Sequence, residues 1–188
     1  VPEPDDLGRL LQGAAVVLID GHHPRLAAAA ARSAARQKLP VVLDAGRWRP
    51  VMGELLPAAR AVICSADFRV PGTADPAASA AAVVGRGVPS VAVTRGGEPI
   101  LWWDKGGTGE VPIRPVEVVD TLGAGDFFHG AFCWFLTQPG LAFADQLGAA
   151  AEVSGVRCAS LGPRRWLDNL RELGLAPRTA AHLPERER

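Results

Sequence analysis

Four short apolar segments, separated by helix-forming stretches, constrain the fold of this chain more than any other feature of its sequence. The segments are AVVLIDG (15–21), PVVLDAG (40–46), AVICS (61–65) and SVAVT (90–94). Continuous apolar runs of this length are typical of strands that are buried on both faces of a sheet. Helices are predicted between them, over about 24–38, 51–59 and 76–86. This alternation favours right-handed crossovers and a parallel sheet, hence an α/β fold.

The pattern changes after Gly97. Residues 98–119 contain short apolar stretches around a glycine-rich turn, which predicts an antiparallel hairpin at the edge of the sheet. Two helices, over about 124–137 and 143–159, are expected to close the domain. A last amphipathic helix is predicted near 165–173, followed by a polar tail from Pro177.

The composition argues against several classes of function. The chain has 20 Lys and Arg against 20 Asp and Glu, whereas a nucleic-acid-binding surface carries a basic excess. The longest apolar run, residues 127–136, is too short to cross a membrane and contains His129. The three cysteines are far apart and form no CxxC pair, so neither a disulfide framework nor a zinc site is expected. Free thiols of this kind favour a cytoplasmic enzyme.

The segment DTLGAGD (120–126) is where chemistry is expected. Gly123 and Gly125 allow unusual backbone angles and a close approach of another molecule to the main chain. The apolar run that follows predicts a helix, whose first N–H groups have no acceptors within the helix and form an anion site. Asp126 then lies in the first turn. It either caps the helix or accepts a proton from a hydroxyl that attacks a bound phosphate.

This segment resembles the C-terminal signature of the ribokinase-like (PfkB) family of carbohydrate kinases, and the aromatic helix after it also fits. Three further segments are similar to the family: SVAVTRGG (90–97), ICSADF (63–68) and AEVSGVRCASLG (151–162). The first is similar to the nucleotide-contacting strand and loop, the second to the N-x-x-E region and the third to the wall of the adenine site. The resemblance implies a ribokinase-like three-layer α/β/α fold with a mainly parallel sheet.

The resemblance also implies which part of the family domain is present. Residues 1–176 correspond to its C-terminal catalytic and ATP-binding part, and residues 177–188 to a polar tail. The family's early strands, its lid and its Gly-Gly sugar motif find no match in the sequence, so we expect them to be missing. In the full-length protein the lid implies a homodimer.

Particular residues acquire roles through the resemblance. Asp126 is implied to be the general base, and the backbone at Gly123, Ala124 and Gly125 the anion hole. ATP and Mg²⁺ are the implied cofactors. The metal would be held mostly through phosphate and water, with Asp67 contacting its water ligands. The implied nucleotide-binding positions are Thr94, Gly96, Thr121, Ala150, Ala151 and Gly155.

The implied function is ATP-dependent phosphorylation of a hydroxyl group on a small sugar. Fructose or another ketohexose ranks first, because Ser65 and Asp67 match the Ser-x-Asp form of ketohexokinase-type members, although Cys64 stands where the family has Asn. Ribose, 2-keto-3-deoxygluconate, a nucleoside or a vitamin-precursor alcohol stays open as the acceptor. A catalytically silent nucleotide-binding module is the rival hypothesis, and neither a nucleic acid nor a membrane is expected as a partner.

Four other polar residues have open assignments. Asp44 follows the second strand, where it either faces phosphate or caps a turn. His22 and His23 follow the first strand, at the edge of the sheet where α/β proteins bind ligands, and form either a solvated turn or a substrate contact. His129 is expected to be a buried histidine with satisfied hydrogen bonds rather than a ligand.

Overall fold

The computed structural model describes residues 7–162 and 166–172, which are built around one six-stranded sheet with the strand order β1-β2-β3-β4-β5-β6. The first four strands are parallel, and β5 and β6 form an antiparallel hairpin at one edge. The predicted parallel sheet with an edge hairpin is therefore confirmed. The strands are β1 (Val17–Ile19), β2 (Val41–Ala45), β3 (Ala61–Ser65), β4 (Ser90–Arg95), β5 (Glu98–Asp104) and β6 (Gly107–Val111).

Helices cover both faces of the sheet, which gives the three-layer α/β/α arrangement. One core cluster joins α2, α3 and α4 to the sheet, and a second joins α5 and α6 to the opposite face. The helices are α1 (Leu7–Leu10), α2 (Pro24–Arg36), α3 (Met52–Leu55), α4 (Pro76–Val84), α5 (Ala124–Leu136), α6 (Phe143–Cys158) and α7 (Trp166–Glu172).

Burial on both faces explains the continuous apolar character of the central strands. Val42 of β2 belongs to the core cluster under α5 and α6, whereas its neighbour Leu43 belongs to the cluster under α2 to α4. Both side chains are fully buried. Successive strand residues point to opposite faces, so a strand between two helical layers needs apolar residues at every position.

The first strand departs from the prediction. It spans only Val17–Ile19 rather than 15–21, and Leu18 is 43% exposed. Within the described residues β1 pairs only with β2, so it is an edge strand with one side uncovered. The expected helix over 51–59 is also divided, because Pro57 lies in a short 3₁₀ turn (Leu56–Ala58) directly after α3.

The two ends of the described region differ in how well the sequence predicted them. The short helix α1 was not predicted, whereas the last predicted helix is present as α7. The polar tail expected over 177–188 lies outside the described residues. No helix in ranges 7–162 and 166–172 is long and apolar enough to span a membrane.

The three cysteines are buried free thiols, as expected from their spacing. Burial raises the pKa of the Cys133 thiol to about 11 and also raises the pKa of Cys64. A thiol with a raised pKa carries little thiolate at neutral pH, so neither is suited to nucleophilic chemistry.

Candidate functional site

The mouth of α5 lies at the carboxyl edge of the parallel strands and carries unpaired backbone donors. Gly123 precedes the helix with a φ of 73°, a left-handed conformation that favours glycine. The N–H group of Ala124 donates to the carbonyl of Thr121 (3.0 Å). In the described part of the chain, the N–H groups of Gly125 and Asp126 have no hydrogen-bond partner. Two free donors at the positive end of a helix dipole can bind an anion, so the geometry is compatible with the predicted anion site, which stays a prediction.

A cavity of about 320 Å³ lies between the β4–β5 turn and helices α5 and α6; we call it the interhelical cavity. Its walls include apolar side chains, among them Ile100, Val116 and Phe128. An apolar chamber beside free N–H groups suits a ligand with a flat apolar end and an anionic end. Most of the residues assigned to nucleotide and anion binding line it: Thr94, Gly96, Thr121, Ala124, Gly125, Ala151 and Gly155.

Four predicted positions do not line this cavity: Gly123, Asp67, Ala150 and Asp126, the last of which lines the cleft described next. Ala150 is fully buried in the core beneath α6, so its neighbour Ala151 is the residue that faces the cavity. Gly123 shapes the turn before α5. Asp67 is exposed after β3, where its N–H group donates to the Ser65 hydroxyl (3.1 Å), and it lines neither this cavity nor the cleft described next.

A second recess, also of about 320 Å³, is lined by residues of β1, β2, α2 and α5; we call it the edge cleft, because β1 is the edge strand. Its polar lining residues are Asp20, His23, Asp44 and Asp126. The rest of its lining is apolar and comes from β1 and α2, including Leu18 and Leu26. Asp126 therefore lines the edge cleft, whereas the adjacent Gly125 lines the interhelical cavity.

The carboxylates that line the edge cleft shift the pKa of Asp44. Burial raises the pKa of Asp44 above its ordinary value, and the negative charges of Asp20 and Asp126 raise it further. The charge of His129 acts in the opposite direction. Asp20 is paired with His22, whose Nδ1 atom lies 2.8 Å from the carboxylate, a contact within the turn after β1. His22 does not line the cleft, whereas His23 does, so the choice between turn and substrate contact stays a prediction.

His129 lies one turn after Asp126, between the two recesses. It is buried, as expected, and it lines the interhelical cavity. Its Nδ1 atom lies 3.5 Å from Oδ2 of Asp44, yet neither ring nitrogen has a hydrogen-bond partner among residues 7–162 and 166–172. The expectation of a satisfied histidine is therefore wrong in this respect, because only an ion-pair contact is present.

Helix α6 supports the loop before α5 through two residues to which the sequence analysis gave no role. The Ser154 hydroxyl donates to the carbonyl of Ala124 (2.9 Å). The guanidinium of Arg157 donates from Nη2 to Oδ2 of Asp120 (2.8 Å). The only sequence signal for Arg157 is a single charged residue inside the otherwise uncharged run VSGVRCASL.

Comparison with known proteins identifies the family of the chain. The family model described as pfkB family carbohydrate kinase matches residues 6–169. The chain belongs to the pfkB family of carbohydrate kinases.

Individual relatives within the pfkB family give the same result. A ribokinase of Lactococcus lactis subsp. lactis is 33% identical over 81 residues, which are 43% of this chain and 27% of the relative. The ribokinase of Arabidopsis thaliana complexed with ribose and ATP aligns with a TM-score of 0.71 at 23% identity, over 86% of this chain and 55% of its own. An Escherichia coli protein described as ribokinase II, in complex with ATP and Mg²⁺, aligns with a TM-score of 0.69 at 20% identity. The alignment covers 89% of this chain and 61% of that protein.

These values establish the ribokinase-like fold. The chain spans about three fifths of the two aligned structures and about a quarter of the curated ribokinase.

The residues of this pfkB-family chain fit a phosphate better than a metal. A Cβ atom added at Gly125 would meet no atom within 4 Å, so the main chain is open where the free N–H groups lie. In the described part of the chain no group of three or more His, Cys, Asp or Glu residues could hold a metal ion. A divalent cation would therefore need ligands that come with the nucleotide.

Proposed function

We propose that this chain forms the phosphoryl-transfer part of a kinase that uses ATP to phosphorylate a hydroxyl group of a small sugar. One observation carries the proposal. The first turn of α5 places Gly125 in the lining of the interhelical cavity and the adjacent Asp126 in the lining of the edge cleft. A phosphoryl donor in the cavity and a hydroxyl in the cleft would meet at this turn.

Asp126 is the proposed general base. Its exposed carboxylate would accept the proton of the acceptor hydroxyl as that oxygen bonds to phosphorus and the bond to the leaving diphosphate breaks. The free N–H groups of Gly125 and Asp126 would hold the negative charge on the phosphoryl oxygens during transfer. One preorganised donor of this type contributes about 3 kcal/mol to a barrier.

The nucleotide would occupy the interhelical cavity, against Thr94, Gly96 and Gly155. ATP supplies the phosphoryl group, and Mg²⁺ offsets the charge of its phosphates. Asp67 is proposed to contact the water ligands of the ion, since this residue is exposed just after β3.

The identity of the acceptor is a separate proposal. A ketohexose such as fructose ranks first, because Ser65 and Asp67 have the Ser-x-Asp form, but neither residue lines the edge cleft. Ribose, 2-keto-3-deoxygluconate, nucleosides and vitamin-precursor alcohols belong in the same screen. ADP release with each compound, measured on the full-length protein, would rank them.

A catalytically silent nucleotide-binding module is the second candidate. The edge cleft favours it, because much of its lining consists of apolar residues of β1 and α2 rather than polar groups that would orient a sugar. This candidate predicts that ADP binds while no acceptor in the screen is phosphorylated.

The decisive experiment replaces Asp126 by Asn and uses Asp145→Asn as a matched control. Both carboxylates lie in the first turn of a long helix, three residues after the residue that precedes it. Each change should lower the free energy of unfolding by a similar amount, within about 1 kcal/mol, because each removes one favourable charge–dipole interaction. Only Asp126→Asn should lower kcat, by about 10²–10⁴-fold, with ADP binding retained.

The outcome separates a general base from a helix cap. Steady-state kinetics, calorimetric ADP binding and urea unfolding of both variants provide the three measurements. If Asp126→Asn keeps the wild-type kcat while losing stability, its carboxylate is a cap and the proposed role is lost.

A further inference from the structure

Arg157 lies in the last turn of α6 and is one of the most buried charged residues of the structure, with 5% of its surface exposed. A buried guanidinium is costly unless its donors are paired. Nη1 donates to the carbonyl of Ser160 (3.0 Å), and Nη2 donates to Oδ2 of Asp120 (2.8 Å) and to the carbonyl of Leu122 (3.3 Å). Its Nε atom has no partner among the described residues.

Two of these acceptors belong to the loop that precedes α5. Arg157 therefore joins the end of α6 to Asp120 and Leu122, which are 37 and 35 residues away in sequence. The guanidinium also lies 5.3 Å from the ring centroid of Phe127 in the first turn of α5, within cation–π range. One side chain thus contacts both the loop before Gly123 and the first turn of α5 after it.

The same contact balances a charge. The Asp120 carboxylate is 30% exposed, in the loop that leads to the free N–H groups. Its Oδ1 atom accepts from the N–H group of Leu122 (2.9 Å), and its Oδ2 atom pairs with Arg157. Without the guanidinium, an uncompensated negative charge would stand beside an anion site.

We propose that Arg157 is a positioning residue for the anion site. It holds the loop Asp120–Gly123 so that the N–H groups of Gly125 and Asp126 stay aimed at a bound phosphate, and it neutralises Asp120. This inference rests on the proposed function only in naming phosphate as the anion. A lysine could not replace it fully, because one ammonium group lacks the planar fork that reaches Asp120, Leu122 and Ser160 together.

The test compares four variants of the full-length protein: Arg157→Met, Arg157→Lys, Asp120→Asn and the double variant Arg157→Met/Asp120→Asn. Arg171→Met is the matched control, because Arg171 pairs with Asp168 at 2.9 Å on the exposed side of α7. Two quantities are measured for each protein. They are the dissociation constant of ADP by calorimetry and the ¹⁵N relaxation of the Gly125 and Asp126 amides.

Arg157→Met should weaken ADP binding about tenfold or more and broaden both amide signals, because the loop loses its tether and gains an unbalanced charge. Asp120→Asn should weaken ADP binding by less than about threefold, since the contacts of Arg157 with the carbonyl groups remain. The double variant should bind ADP better than Arg157→Met alone while its amides stay broadened. Arg171→Met should match the wild type in both measurements.

The inference fails if a folded Arg157→Met protein keeps both the wild-type affinity for ADP and the wild-type relaxation of the two amides. If Arg157→Met does not fold, Arg157→Lys decides in the same way: unchanged values overturn the proposal, and a broadened Gly125 signal supports it. If the wild-type protein transfers no phosphate, the proposed function fails but the proposal for Arg157 does not, because neither measurement depends on turnover. If the wild type does not bind ADP, the amide relaxation still decides.

Discussion

The interhelical cavity and the edge cleft lie on either side of the first turn of α5, and they are built very differently. The cavity is enclosed by the β4–β5 turn, α5 and α6, and it combines apolar walls with the open main chain at Gly125. The cleft is lined by polar residues, including Asp44 and Asp126, and by apolar residues of the edge strand β1 and of α2.

Under the proposed function, this difference separates the donor side of the reaction from the acceptor side. The donor side needs an anion site and an apolar slot, and residues 94–155 would supply both. The acceptor side needs several polar groups that orient one sugar, and among the described residues the edge cleft offers Asp20, His23, Asp44 and Asp126 beside an apolar lining. We therefore expect substitutions in the cavity to change nucleotide use strongly, and substitutions in the cleft to change charge and stability more than nucleotide affinity.

The largest effect that tests this division is expected at Gly125. A Cβ atom at Gly125 or at Gly130 would meet no atom within 4 Å, and both residues lie in α5. Each change to Ala should leave stability unchanged or raise it by up to about 1 kcal/mol, because Ala favours a helix. Only Gly125→Ala should lower kcat/KM, by about 10²-fold, since its methyl group would stand where phosphate approaches.

Kinetics and urea unfolding of the Gly125→Ala and Gly130→Ala proteins would check this expectation. Equal activity of the two variants would mean that the open main chain at Gly125 is not the phosphate site, and the division between cavity and cleft would fail.

A smaller effect is expected deeper in the cavity. Gly155→Leu should raise the KM for ATP about tenfold with little change in kcat, because the side chain would fill space that the nucleotide uses without touching the α5 mouth. Gly148, also in α6, does not line the interhelical cavity but a separate recess of about 760 Å³, whose lining includes Pro112 and Glu172, so Gly148→Leu is the control. In each case the added Cβ meets a valine methyl at 3.5 Å, an ordinary contact. A raised KM in both variants would indicate general damage to α6.

The sequence predicted those features that depend on local pattern. β2, β3 and β4 were recognisable because helices cover both faces of the sheet. Gly123 and Gly125 predicted an open main chain at the start of α5, where two free N–H groups lie. The phase of α6 could not be predicted, because the run Ala149–Ala151 offers no polar contrast to tell which alanine faces the core. Long-range pairs were equally inaccessible, since Arg157–Asp120 and His129–Asp44 exist only once the sheet order brings their elements together.

The smallest effect is expected at Asp44, on the cleft side. Burial and the neighbouring carboxylates raise its pKa in the folded protein, so the folded state holds this proton more tightly than the unfolded chain. Stability is therefore lost as pH rises from the ordinary carboxyl pKa of 3.8 through the raised value. Asp44→Asn cannot ionise, so its free energy of unfolding should exceed that of the wild type at neutral pH, by less than about 1 kcal/mol.

The free energies of unfolding of the wild type and of Asp44→Asn should become equal below about pH 4, because Asp44 is then neutral like Asn. His129→Gln should lower the free energy of unfolding at neutral pH, because it removes the partner that favours the Asp44 carboxylate. Urea unfolding over a pH series measures both differences. ADP affinity should stay at the wild-type value in Asp44→Asn, since Asp44 lines the cleft and not the cavity. A weakened affinity would show that the two recesses are coupled through the His129–Asp44 contact.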